Sequence, residues 1–142
     1  MKTTNDLLEV LNEIEDKTTL NDYLANIEKY KDLNYIDYFE TVMNSHNIKK
    51  NELVNASGLS RTYCYQLING TRKPGRDNAL TLCIAAHFTL AEAIRYLELL
   101  ELGTLYPKNI RDSIIIYAIN RELTVQETND LLYSKNEKTL GE

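Results

Sequence analysis

The sequence predicts an all-α fold. Apolar residues recur along nearly the whole chain at helical, not alternating, spacing. No pair of alternating runs is joined by a hairpin turn. Between the apolar stripes stand helix-end signals, such as the capping box Thr89-Leu90-Ala91-Glu92 and the glycine at Gly103.

Each element has its own justification. Leu7, Leu8, Val10, Leu11 and Ile14 line one face of a first helix, which closes in the polar Asp16-Lys17-Thr18. Thr19 is placed to cap a second helix, whose inner face is Leu20, Tyr23, Leu24 and Ile27. Ile36, Phe39, Val42, Met43 and His46 mark a third. Leu80, Cys83, Ile84, His87 and Phe88 follow the i, i+3, i+4, i+7, i+8 spacing of a buried stripe. The helix opening at Leu90 runs through Ile94 and Leu97; Gly103 is expected to stop it and Pro107 to bar its continuation. A weak repeat follows, because Phe88-Thr89-Leu90-Ala91-Glu92 is echoed by Leu123-Thr124-Val125-Gln126-Glu127. With two copies only, it predicts a helical hairpin added to the core, not a solenoid. The polar stretch from Lys135 to Glu142 is expected to fray.

With 43% hydrophobic and 26% charged residues, the 142-residue chain has the balance of a globular protein, not of a disordered one. No apolar run approaches a membrane span and the N-terminus has no signal-peptide core, so a cytoplasmic location is expected. Cys64 and Cys83 fall on apolar helix faces and read as free, packed thiols in a reducing compartment. The net charge of -5 conceals a strong asymmetry. Residues 1–47 carry four Lys against ten acidic groups, and 77–142 carry six basic against ten acidic. Between them, 48–76 holds Lys49, Lys50, Arg61, Arg72, Lys73 and Arg76 against Glu52 alone. A polyanion feels the field within about one Debye length, roughly 8 Å in physiological salt, so this basic window outweighs the total.

The same window contains a helix-turn-helix pattern. Leu53 and Val54 give a short helix its apolar side, and Gly58 stands where the turn needs a residue tolerant of positive φ. Leu59 plugs the corner, Ser60 caps the next helix, and Cys64 and Leu67 form that helix's inner face. Its outer face, Arg61, Thr62, Tyr63, Tyr65 and Gln66, is rich in hydrogen-bonding groups suited to base edges. The loop Asn69-Gly70-Thr71-Arg72-Lys73-Pro74-Gly75-Arg76 sets three basic residues beside a stiffening proline, which suits it to phosphates. Lys49 and Lys50 begin the preceding helix, whose first amides also favour a phosphate oxygen.

The segment 35–100 resembles the Cro-like phage-repressor (XRE) helix-turn-helix family. The match is carried by Glu52-Leu53-Val54, Gly58-Leu59-Ser60, Leu67, Asn69-Gly70 and Arg72-Lys73-Pro74 in register, followed by Phe88-Thr89-Leu90. The resemblance implies a five-helix, lambda-repressor-like DNA-binding domain with helix 61–68 in the major groove. It aligns Arg61, Thr62 and Gln66 with base-reading positions and Lys50 with a phosphate-gripping one. Asn69, Thr71 and Lys73 align with backbone contacts, and Arg76 with a position that approaches the minor groove. Two features depart from the pattern. Met43 and Ile68 stand where many relatives pair a buried Arg with a Glu; losing one partner strands a charge at a cost of about 3–5 kcal/mol, whereas replacing both can be neutral. Tyr63 and Tyr65 are bulkier than usual and suit sugar stacking, thymine methyls or a protein interface equally.

The expected organisation is an acidic N-terminal helix pair over 1–34, the DNA-binding domain over 35–103 and a C-terminal helix pair over 104–142. The expected function is that of a sequence-specific transcriptional regulator of double-stranded DNA, acting as a homodimer because one recognition helix reads few base pairs. The alternative is a protein-interaction adaptor of the same fold, anchored by Tyr63 and Tyr65. An enzyme is not expected, since only His46 and His87 are present and both are assigned to apolar helix faces. Cys83 and His87 have the spacing of half a zinc site, but no second ligand pair accompanies them. No metal, cofactor, small-molecule ligand or membrane partner is expected.

Overall fold

A computed structural model describes residues 34–141, together with Leu11, Thr19, Leu20, Asn21 and Leu24, which are helical. The N-terminal helix pair expected from sequence lies otherwise outside the described residues. Chain contacts fall into two units, Met1–Asn34 and Tyr35–Glu142. The second unit is all-helical: α1 (Tyr35–Ser45), α2 (Lys50–Ser57), α3 (Arg61–Asn69), α4 (Arg76–Ala85), α5 (Leu90–Leu99), α6 (Ile110–Asn120) and α7 (Val125–Ser134). Among the described residues, no helix is long and apolar enough to cross a membrane.

Helix α4 lies at the centre. The sequence pattern predicts a one-sided stripe, but every residue from Ala79 to Ala86 is buried. A helix apolar all round belongs inside a core, and α2, α5 and α7 all pack against this one. The stripe also ends early. His87 follows the helix in the left-handed region at φ 60 and is exposed, while Cys83 is fully buried. The two therefore do not share a face as their spacing implied. Burial pushes the Cys83 thiol well above its ordinary range, and Cys64 and Cys83 are both free. Helix α1 adds Tyr38, Phe39, Val42 and Met43 to the core. The Phe39 ring lies 5.0 Å from that of Phe88 and 5.1 Å from that of Tyr96. Tyr38 donates its hydroxyl to the Glu92 carbonyl at 3.1 Å, and burial pushes its ionisation up to about 12.

Five helices end in the same way, on a non-glycine residue in the left-handed region: Asn47, His87, Glu101, Glu122 and Asn136. In each, the next residue donates its amide back five positions, as Phe88 does to the Cys83 carbonyl at 3.0 Å and Leu123 to that of Ala118 at 3.0 Å. Glu101, not Gly103, therefore stops α5. The sequence repeat is thus structural. At each copy a left-handed stop, an apolar residue and a threonine cap follow in order, and Thr89 and Thr124 close capping boxes with Glu92 and Glu127.

The C-terminal hairpin α6–α7 is clasped to the first turn of α4. Arg76 donates to Asp112 Oδ2 at 2.9 Å and to the Gly103 and Thr104 carbonyls at 2.9 and 2.6 Å. Next to it, Asp77 receives Arg111 through two parallel bonds of 3.0 and 3.1 Å. Adjacent Arg and Asp on one helix thus meet adjacent Asp and Arg on another. Asp112 also accepts the Tyr106 amide at 3.0 Å. The tail expected to fray is tied down as well. Arg111 holds the Lys138 and Thr139 carbonyls, the Leu140 amide reaches Asn129 Oδ1 at 2.7 Å, and the Leu140 side chain is buried.

Two outcomes are expected. Asp112→Ala removes the counter-charge of Arg76 and the acceptor of the Tyr106 amide, and should cost about 2–3 kcal/mol in urea denaturation; an unchanged midpoint would show the clasp to be dispensable. At Glu92, burial raises the carboxyl pKa, but the Thr89 hydrogen bonds and His46, 2.7 Å away, outweigh it and leave the pKa lowered. Its stabilising contribution is complete above the ordinary value of 4.5 and is lost as pH falls through the lowered folded value. The stability difference between wild type and Glu92→Gln should therefore shrink as pH is taken below that value.

Candidate nucleic-acid interface

The turn between α2 and α3 is built by short-range bonds. Ser57 donates its hydroxyl to the Val54 carbonyl at 2.9 Å and accepts the Leu59 amide at 3.2 Å. Gly58 takes φ 74, and Ser60 Oγ accepts the Tyr63 amide at 3.2 Å, capping α3. With Leu53, Cys64 and Leu67 essentially inaccessible, the opposite sides of both helices are left to solvent.

On that outer side the candidate residues divide into two groups. Arg61 and Thr62 are exposed, and Tyr65 and Gln66 are half-buried. Arg61 donates to Asn51 Oδ1 at 2.8 Å and to the Tyr65 hydroxyl at 3.1 Å, with its guanidinium 5.8 Å from the centre of the Tyr65 ring. A polar network thereby spans α2 and α3. Thr62 and Gln66 make no side-chain hydrogen bond among the described residues. Tyr63 and Tyr65 both pack against the core, and Tyr63 differs in its hydroxyl, which accepts from Asn78 Nδ2 at 2.9 Å.

The flanking basic residues divide similarly. Lys49, Lys50, Asn69, Thr71, Arg72 and Lys73 are exposed. Glu52 accepts the Lys49 amide at 3.2 Å, capping α2, and remains exposed. Lys50, Tyr65, Ile68 and Asn69 surround a shallow hollow between the start of α2 and the end of α3. Asn69 Oδ1 accepts the Thr71 amide at 2.8 Å, which leaves the side-chain amide to donate outward. The loop beyond is fixed by the Arg72 amide on the Gln66 carbonyl at 3.0 Å and by the burial of Pro74. Arg76 is not with this group, being engaged in the clasp to α6.

Searches against family models, curated proteins and solved structures found no match to this chain.

Sequence reasoning missed Asn51 and Asn78. Asn51 shares a face of α2 with Asn55 by i, i+4 spacing, a polar stripe that was there to be read; nothing in the sequence pointed Asn78 at Tyr63. Met43 and Ile68 line one cavity of about 200 Å³ together with Ile36, Phe39 and the exposed Glu40, Lys50 and Asn69, so the two apolar residues are neighbours.

Gly70 has a double constraint. Its φ is 87, and an added Cβ would overlap Ile36 Cδ1 of α1. Gly70→Ala should lower stability by about 1–2 kcal/mol from backbone strain alone, measured by thermal or urea unfolding. No loss would mean that the loop relaxes around the new side chain.

Proposed function

We propose that the protein is a sequence-specific double-stranded DNA-binding regulator of transcription, with α3 as the helix that enters the major groove. The resemblance to the Cro-like phage-repressor (XRE) helix-turn-helix family belongs to this reading, in which α1–α5 would form the five-helix, lambda-repressor-like domain. The observation that carries it is a polar outer side shared by α2 and α3. Arg61 and Thr62 are exposed and Tyr65 and Gln66 half-buried, in company with the exposed Lys49, Lys50, Thr71, Arg72 and Lys73, and Lys50 stands beside Tyr65 and Asn69 at one hollow. Side-chain donors and acceptors of this kind discriminate base edges, and flanking cations set the register on the phosphates. Asn51 joins the set through Arg61. The Tyr63 hydroxyl and the Arg76 guanidinium are engaged by Asn78 and Asp112, so these two are left out of the set. A single helix reads few base pairs, so binding as a homodimer to paired half-sites is part of the proposal. The two buried free thiols suit a reducing cytoplasm.

The stacked Arg61–Tyr65 pair favours a second reading, a protein-interaction adaptor, because Arg and Tyr are the side chains that anchor protein interfaces.

Salt dependence separates the two. A DNA binder loses affinity for random duplex steeply between low and moderate salt, and an adaptor shows a flat response or none. Gln66→Ala should relax preference at one base pair by about 1–3 kcal/mol, whereas Lys73→Ala should weaken all sequences alike and lower the salt slope by about one unit. Arg76→Ala should leave that slope unchanged. Equal effects of Gln66→Ala and Lys73→Ala on sequence preference would remove α3 from the groove.

A further inference from the structure

Within Tyr35–Gly141 the exposed large apolar side chains are Tyr106, Ile110, Tyr117 and Tyr133. All lie in or just before the α6–α7 hairpin, and none is on α1–α5. Such a concentration on one element marks a surface that meets another molecule. Between α6 and α7 runs an open groove of about 690 Å³, with Ile114, Tyr117, Leu123 and Leu131 as its apolar walls and Glu127, Asp130 and Lys135 as its ionisable groups.

The order of the charges identifies the occupant. Leu131 is half-buried in the second half of α7, with Glu127 four residues before it and Lys135, the residue that caps the helix end, four after. Four residues are about one helical turn, roughly 6 Å of rise, so both charges lie on the Leu131 side at equal distances from it. An antiparallel copy of α7, related by a two-fold axis at Leu131, sets Glu127 opposite the partner's Lys135 and Lys135 opposite the partner's Glu127. Such self-complementarity is what an isologous interface requires. A parallel copy would set like charges together. Both groups have capacity to spare. Glu127 uses one oxygen on the Thr124 amide, and Lys135 is exposed with no ion pair among the described residues. Asp130, one residue from the axis, gains no opposite partner and is the one charge that opposes the pairing.

We propose that the α6–α7 groove is the self-association surface of this protein, in which two copies pair their α7 helices antiparallel about Leu131, the two Leu131 side chains meeting at the axis between the Ile114 and Tyr117 walls. The proposal names the surface and register of a dimer and stands independently of DNA binding.

Sedimentation equilibrium of the full-length chain tests it. Wild type should be a dimer at micromolar concentrations. Lys135→Glu and Glu127→Lys should each raise the dimer Kd by at least about tenfold, since like charges then face each other twice. An equimolar mixture of the two variants should restore the dimer, because both cross-pairs become opposite in sign. Glu127→Lys also removes a cap acceptor. Should it fail to fold, Glu127→Gln retains that acceptor, and Glu127→Gln/Lys135→Glu should dimerise more tightly than Lys135→Glu alone. A monomeric wild type, a Lys135→Glu dimer of unchanged Kd, a mixture of folded variants that does not associate, or a Gln double variant no tighter than Lys135→Glu would each overturn it.

Discussion

Helix α4 has no solvent face, and the rest of the Tyr35–Glu142 unit is arranged around that constraint. A helix can be buried on all sides because its backbone donors and acceptors are satisfied within the segment. Its side chains from Ala79 to Ala86 are apolar apart from Thr81, and Thr81 donates its hydroxyl to the Asp77 carbonyl at 2.9 Å. Three other helices therefore cover it. Polar chemistry is confined to its first turn, where Arg76 and Asp77 can reach outward without entering the core.

That first turn ties the helical hairpin to the rest. Charged groups with little solvent are costly unless every bond is made. Here Asp112 is nearly inaccessible; its carboxylate accepts from Arg76 and from the Tyr106 amide, and its own amide donates to the Asn109 cap. The hairpin with its exposed apolar groove and the helix pair with its exposed polar edge consequently belong to one packed unit.

The candidate interface shows how residues of similar chemistry divide between construction and presentation. Ser60 Oγ, Asn69 Oδ1 and Gly70 shape the turns, and one oxygen of Glu52 closes a helix end. Lys49, Lys50, Arg72 and Lys73 have no such task. The basic window was legible in sequence, but its membership was not. Arg76 counts as a cation in any window of sequence, and only the approach of Asp112, 36 residues later, withdraws it. Tyr63 and Tyr65 are likewise indistinguishable by type. Both pack against the core, but one hydroxyl meets Asn78 and the other Arg61.

The sequence by itself determined the helical class, the caps at Ser60, Thr89 and Thr124, the glycine turn at Gly58 and the repeat that becomes the hairpin. These follow from backbone sterics and hydrogen bonds spanning a few residues, and such terms are present in any local window. Tertiary structure alone decided that α4 is buried all round, that Glu101 and not Gly103 ends α5, that the tail folds back onto Arg111, and that Arg76 serves packing. Each of those outcomes depends on groups far apart in the chain, whose meeting sets how much water and how many partners a side chain keeps. No local pattern encodes that environment.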